Sequence, residues 1–452
     1  MLQNPRHEAM NVCATCRRCD GSYCAPVRQR LRAYDGIRFT SDGFDCALPV
    51  SIDSHSFCSF ACLYCFSNNL LSHRQSTGWG VGQTSLRSIE NLFAGEGKRF
   101  DVMRKALKYD DRRNGYPGPV QLGALNDPCD YIEQQQGWLL RYLELAIKYN
   151  QPTRISTKGV VLAQPDYLRV LERAPHLFWV AFSIVSPDDS LVRKIDRKAP
   201  VPSERLATMK ALSGIGVKTS LRLRPMLAGV TWGHPANPYA YRELIAAAAE
   251  AGARAVSYEV AFTPGAPTND VRARWKLLSD VTGFDHLGTY AKFGQRACVR
   301  PAAAWTRAVM HDVRDVAHRH GMVVGISDPV WKELGDTGCC CGIMPDDPVF
   351  GNWQRESATN QLLRAKATGT EIGPQDITPP WAYSVPWDNM VPVPAGPLKR
   401  HKRKYYTWAD FLRDLWNDPQ RERSPYQYFQ GALRPTRIVD GDVFYTFHSL
   451  DD

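Results

Sequence analysis

From about residue 46 to residue 330, short apolar and β-branched runs alternate with longer stretches whose apolar positions recur every three to four residues. The short runs predict strands at 47–52, 120–125, 153–157, 178–183, 218–224, 254–260 and 322–326. The longer ones predict amphipathic helices such as 137–149 and 203–215. The second of these opens on a Ser-Glu pair suited to a helix N-terminus. Alternation of this kind is the signature of parallel βα units. It predicts an α/β fold, a closed or partial βα barrel whose functional groups sit at the carboxyl ends of its strands. Within 218–224, Arg222 and Arg224 alternate with leucine, so both point to one face.

Outside that region the pattern changes. Residues 1–45 carry many charges and their own cysteine cluster, and read as an N-terminal extension wrapped on the main domain. After residue 330 the alternation gives way to Gly-, Pro- and Asp-rich segments with Trp353, Trp381 and Trp387, ending in a helix near 408–415. Residues 331–452 therefore read as a loop-rich C-terminal extension covering the barrel mouth. No internal repeat or long low-complexity segment is found.

Hydrophobic content of 44%, with 12 Trp and 17 Phe, argues for a filled core and against a disordered chain. No run of about 18 apolar residues is present, and the N-terminus lacks the apolar stretch of a signal peptide. The expectation is a cytoplasmic protein with no membrane partner. Thirteen cysteines, clustered in a long chain, then point to metal rather than to disulfides. A net charge of +10 fits a polyanionic partner without requiring one. The densest basic run, Lys399-Arg400-His401-Lys402-Arg403-Lys404, is followed by Tyr405-Tyr406. It reads either as a solvated loop or as a strip that contacts phosphates while its aromatic neighbours stack on bases.

The most specific pattern is Cys58-Ser59-Phe60-Ala61-Cys62-Leu63-Tyr64-Cys65. Four-iron clusters are normally held by four thiolates. A compact set of three leaves one iron open to another ligand, much as catalytic zinc sites keep one open position. A zinc knuckle or three buried thiols are the bland alternatives. With an aromatic residue just before the last cysteine, the spacing resembles that of the radical S-adenosylmethionine (SAM) superfamily. The resemblance implies a (βα)6-type partial TIM barrel with the cysteine loop after its first strand, and a 4Fe-4S cluster on Cys58, Cys62 and Cys65. It further implies SAM on the open iron, cleaved to a 5′-deoxyadenosyl radical, with Tyr64 near the adenine. An external electron donor such as flavodoxin or ferredoxin is implied as well.

Within that superfamily the stretch from Cys58 to Thr231, about two fifths of the chain, is similar to the spore photoproduct lyase group. Asn126-Asp127-Pro128-Cys129-Asp130-Tyr131-Ile132-Glu133 resembles that group's Thr-Asp-Pro-Tyr-Gln-Pro-x-Glu segment. Asn126 and Asp127 then supply acceptors for the SAM amino group, while Cys129 departs from the aromatic of the pattern. Ile155-Ser156-Thr157-Lys158 is similar to the group's Thr-Lys element. Lys158 becomes the partner of the SAM carboxylate, and Ser156 and Ser183 become ribose contacts. Arg224, if it faces the interior, must pair, and the SAM carboxylate or a substrate phosphate would suit it.

The remaining cysteines keep several readings. Cys13, Cys16, Cys19 and Cys24 have spacings that suit zinc or an auxiliary iron–sulfur cluster. Cys339 and Cys341 are candidate auxiliary ligands, and Cys340 or Cys129 a thiol hydrogen donor; buried packing is the alternative for each. Cys46 and Cys298 read as core thiols. His55 reads as a structural or outer-sphere residue, and Asp53 and Glu259 as strand-end acids able to meet substrate.

The function expected from all this is modification or rearrangement of a nucleic-acid base, such as a modified thymine in DNA, with DNA the favoured partner. Photoproduct repair, a peptide or small-metabolite substrate, and a non-enzymatic multi-zinc nucleic-acid-binding protein are the alternatives.

Overall fold

The computed structural model describes residues 31–450 except 41–44, 47, 68–80, 265–266, 294–297, 352–356, 379–381, 384–404 and 422. The cysteines of 13–24 and the basic run 399–404 lie outside the described residues.

An eight-stranded sheet organises the chain. Its strands are β1 (Ile37–Phe39), β2 (Val50–Ile52), β3 (Val120–Leu122), β4 (Thr153–Thr157), β5 (Phe178–Ser183), β6 (Lys218–Met226), β7 (Ala253–Val260) and β8 (Val323–Ile326). Their spatial order follows their chain order, with β1 antiparallel to β2 at one edge and every other pairing parallel. Six crossovers thus join seven parallel strands into an open, partial barrel. Each of the seven strands expected from the sequence is present. The 120–125 run stops at Leu122, because Gly123 turns left-handed (φ 77°) and the next two N–H groups leave the ladder for Asp53 Oδ1, at 2.9 and 2.8 Å.

Helices cover the outer face, among them α1 (Leu86–Ala94), α2 (Tyr131–Gln136), α3 (Trp138–Lys148), α4 (Pro165–Glu172), α5 (Asp189–Ile195), α6 (Pro202–Gly214), α7 (Ala240–Glu250) and α8 (Ala303–Arg319). Outward strand residues such as Ile155, Phe182, Leu221, Val256 and Ile326 are buried beneath them. Helix α6 starts as its sequence suggested. Pro202 stands in the first turn, and Glu204 Oε2 accepts the Val201 N–H at 2.8 Å.

The inner face is polar and is filled by the chain itself. Residues 337–351 run along it. Near the strand starts, Lys218 Nζ meets Asp347 Oδ2 at 2.5 Å and Phe350 packs edge-on against Trp179. Further up, Ser257 Oγ donates to the Cys340 carbonyl at 2.6 Å, and Gly325 on β8 lies against Gly342 N and Cys339 O. A Cβ at Gly325 would fall 2.4 Å from Gly342 N, so this approach requires glycine.

Past this segment, α9 (Ala358–Thr368) and α10 (Trp408–Trp416) pack on the outside with a terminal hairpin, Leu433–Val439 and Asp442–Phe447. Asp440 and Gly441 both take positive φ at its tip, the twist a two-residue turn needs. Buried Asp45 ties these later elements to the first strands. Its Oδ1 accepts the Thr359 N–H at 2.8 Å, and its Oδ2 meets Lys332 Nζ at 2.7 Å and Tyr428 OH at 2.9 Å. Among the described residues no helix is long and apolar enough to cross a membrane.

Candidate active site

The three-cysteine loop follows β2 at the carboxyl ends of the parallel strands. It is pinned on both sides. Toward β3, the Ser59 N–H and Oγ donate to Asp130 Oδ2 at 2.8 and 2.9 Å, while Asp130 Oδ1 caps α2 through the Ile132 N–H. Toward α5, the Leu63 N–H donates to the Ile195 carbonyl and the Lys198 N–H to the Phe60 carbonyl, at 3.0 and 3.1 Å. Phe60, Cys62, Leu63 and Tyr64 are buried in a small apolar cluster with Val185, Ile195 and Leu227. The loop is a fixed platform.

Its thiols suit a cluster. Burial pushes Cys58 and Cys62 up, and Cys58 also feels Asp130, Asp127 and the other two cysteines, so the three sulfurs share one neighbourhood. A bound metal would supply the positive charge that such thiolates require. Among the described residues no three ligating side chains converge as they would on a single ion. A four-iron cube takes one thiolate per iron, so three thiols on one loop would hold three of its irons.

Behind the loop lies an ionic network. Asp196, fully buried at the end of α5, meets Lys158 Nζ at 3.0 Å, Arg205 at 2.9 Å and the Tyr64 hydroxyl at 2.5 Å; Lys158 also donates to Tyr64. Burial alone would raise the Asp196 carboxyl, but Lys158 and Arg205 outweigh it and hold the group well below the usual carboxylate range. Lys158 and Tyr64, singled out by sequence, are thus joined through Asp196 and Arg205, which were missed. An acid on the next crossover has no fixed spacing from Lys158, so only the fold reveals it.

The Asn126–Glu133 segment is a knot of satisfied hydrogen bonds. The Asn126 amide lies 2.8 Å from Ser54 Oγ. In the orientation that satisfies both its ends, it donates to Asp53 Oδ1 and accepts from the His55 N–H. Asp127 accepts from the Thr157 hydroxyl and the Lys158 N–H, both at 2.6 Å, and from the Cys129 N–H at 3.0 Å. Burial raises Asp127, with these bonds opposing. Glu133 caps α3 through the Leu139 and Leu140 N–H groups. Asp53 pairs with Arg38 at 2.7 Å besides holding the turn after β3. His55, lowered to about 4 by burial, bridges to Gln83 at 3.1 Å.

Ser156 and Ser183 face inward from β4 and β5. Ser156 Oγ accepts from Gln121 at 3.0 Å and from Arg154, and Ser183 Oγ accepts from Arg222 at 3.1 Å. Arg224 does face the interior. It pairs with Glu259 at 3.1 Å and points Nη1 at Cys340 Sγ, 3.5 Å away. Glu259 also holds Arg300, at 2.9 Å, whose guanidinium lies 4.7 Å over the Phe262 ring. Phe66, just after Cys65 and 42% exposed, approaches Phe262 with a ring separation of 6.4 Å. Cys340 is half-buried, whereas Cys129, Cys339 and Cys341 are buried in the main core. Cys46 packs partly buried against that core.

Parts of the chain are similar to solved structures of spore photoproduct lyase and SuiB. Spore photoproduct lyase complexed with dinucleoside spore photoproduct matches at 16% identity and a TM-score of 0.44, over 64% of this chain and 77% of that chain. A spore photoproduct lyase mutant with bound AdoMet and the same dinucleoside matches at 17% and 0.42, over 63% and 77%. SuiB of Streptococcus suis bound to precursor peptide SuiA matches at 13% and 0.36, over 60% and 47%. No family model matches the chain, and no curated protein does.

Proposed function

We propose that the chain is a radical SAM enzyme that modifies or rearranges a base in nucleic acid, DNA by preference. The observation that carries this reading is the three-thiol loop, pinned over the strand ends by Asp130 on one side and Asp196 on the other. When bound, a 4Fe-4S cluster on Cys58, Cys62 and Cys65 with SAM at its open iron supplies a 5′-deoxyadenosyl radical able to abstract hydrogen.

The protein's own residues bind and orient. Tyr64 stands beside the adenine. Asp127 accepts three hydrogen bonds and keeps one of its roughly four lone-pair sites for the SAM ammonium, with Asn126 next to it. Lys158 turns from Asp196 toward the SAM carboxylate, and Arg205 keeps Asp196 paired as it does so. Ser156 and Ser183 offer hydroxyls to the ribose, and Arg224 adds positive charge. The exposed Phe66 ring, beside Phe262, offers an apolar face on which a planar base can stack, while Arg300 lies over Phe262 and is held by Glu259. Cys340, half-buried beside Arg224, is better placed than Cys129 to return hydrogen to a product radical. Cys13, Cys16, Cys19 and Cys24 would hold an auxiliary iron–sulfur cluster or zinc, and flavodoxin or ferredoxin would deliver the electron.

The test is 5′-deoxyadenosine formation by anaerobically reconstituted protein with dithionite and SAM, with and without duplex DNA containing modified thymine. Stimulation by DNA supports the reading. Formation indifferent to DNA keeps the radical chemistry and moves the substrate to peptides or free nucleotides. Cys58→Ala, Cys62→Ala and Cys65→Ala should each reduce formation to background, and activity surviving in any of them overturns the cluster assignment.

A further inference from the structure

Asp196 stands where two parts of the candidate site meet. From the cysteine loop, the Tyr64 hydroxyl donates to its Oδ1 at 2.5 Å. From the end of β4, Lys158 Nζ lies 3.1 Å from Oδ1 and 3.0 Å from Oδ2, and it donates to the Tyr64 hydroxyl as well. Arg205 closes the set at 2.9 Å. Asp196, Lys158 and Arg205 all act on the buried Cys62 thiol, so the network lies directly behind the loop.

Its members differ in freedom. The Arg205 side chain is fully buried, and its Nε and Nη1 donate to the Pro200 and Ser183 carbonyls, both at 2.7 Å. It cannot leave Asp196 without straining two further bonds. Tyr64 is fixed by the packing of the loop. Lys158 is the partly exposed member, with 13% of its side chain open against none for Asp196. Asp127 holds its backbone N–H, and its four-carbon stem can swing.

We infer that Asp196 is a positioning residue that couples the carboxylate taken by Lys158 to the hold on the cysteine loop. This rests on the proposed function for the identity of that carboxylate as the one on SAM. While Lys158 stays, three donors share the Asp196 carboxylate. Once Lys158 turns away, Asp196 keeps only Arg205 and Tyr64 from that set, and the Tyr64 hydroxyl meets a less neutralised acceptor. Hydrogen bonds to an ionised partner are the strong ones, so the loop is held harder. Linkage makes the effect reciprocal, and a loop held in place favours release of Lys158. Asp196 is thus both a competitor for Lys158 and the tie that tightens when Lys158 leaves.

Iron release to a chelator is the readout, from anaerobically reconstituted full-length protein. S-adenosylhomocysteine is the carboxylate-bearing probe, and 5′-methylthioadenosine is the control that lacks the carboxylate. Saturating adenosylhomocysteine should slow release about fivefold, and the control less than about twofold. Direct ligation of iron by the probe would slow release too, but it does not pass through the Tyr64 hydroxyl. Tyr64→Phe keeps the ring and should lose most of the slowing at saturation. Asp196→Asn keeps an acceptor for Tyr64 and releases Lys158, so adenosylhomocysteine should bind about fivefold tighter in equilibrium dialysis. Adding Lys158→Met to that variant should remove the gain. Slowing no larger than the control's overturns the coupling, as does full slowing in Tyr64→Phe. Binding to Asp196→Asn that is unchanged or weaker overturns the competition for Lys158. Failure of the radical reading would appear separately, as no adenosylhomocysteine binding by the parent and no 5′-deoxyadenosine from SAM.

Discussion

The acids around the ends of β2–β5 and Arg154 on the inner face of β4 are buried to similar degrees, with Arg222 on β6 half-buried, yet they are answered very differently. Asp53, Asp127, Asp130, Glu133 and Asp196 each meet two or more partners, most of them backbone N–H groups or cations. Among the described residues, Arg154 and Arg222 keep nitrogens with none. A saturated buried acid fixes backbone, and here that backbone carries the cysteine loop and the turns around it. An under-answered buried cation fixes nothing by itself and is a costly choice in an interior. Within one barrel the first group is scaffold, and the second leaves part of its hydrogen-bonding capacity unused.

The comparison can be broken most sharply at Asp196. Asp196→Ala would leave Lys158 and Arg205 facing each other, and should cost about 3–5 kcal/mol in urea unfolding. A loss under about 1 kcal/mol would mean that the network is not formed in solution. Glu259 tests the arginine side. Burial would raise its carboxyl, but Arg224 and Arg300 bring it from 4.5 down to about 2. A depressed carboxylate stabilises the fold above pH 4.5, and that contribution drains away as pH falls toward 2. Glu259→Gln should therefore flatten the acid limb of the stability curve in that window. A curve of unchanged steepness would remove Glu259 as the anchor of the arginines.

Smaller effects sharpen the scaffold side. Asp53→Asn weakens its bond to Arg38 and its hold on two backbone N–H groups, and should cost about 2 kcal/mol. Asp130→Ala removes a helix cap worth about 1 kcal/mol. It also frees Ser59, so the variant should lose iron faster than the parent on anaerobic gel filtration. Equal iron retention would show that the cysteine loop does not depend on that tie.

The strands were legible because their outer faces, packed under helices, repeat an apolar residue at every second position. The cysteine loop was legible through its spacing, and Arg222 and Arg224 through their alternation with leucine. Three things were not. Asp196 and Arg205 come from the crossover after β5 and meet Lys158 only in three dimensions. Arg154 sits in a short strand where it reads as one more charge. Residues 337–351 have no period of either kind and read as part of a cover, whereas their Cys339, Gly342 and Phe350 pack against the inside of the sheet. Periodicity reports elements that face a repeating surface, and a segment filling an irregular interior has no such surface to imprint it.

That inner segment also sets an order of events during biosynthesis. Strands β2 to β7 leave the ribosome well before residue 337, and nascent domains begin to organise as they emerge. Until 337–351 follow, Trp179 lacks Phe350 and Lys218 lacks Asp347. Completion of the barrel is thus a late, long-range step of the kind that slows folding. A chain halted just before it would expose an open, cationic trough, a natural target for chaperones or for any polyanion nearby.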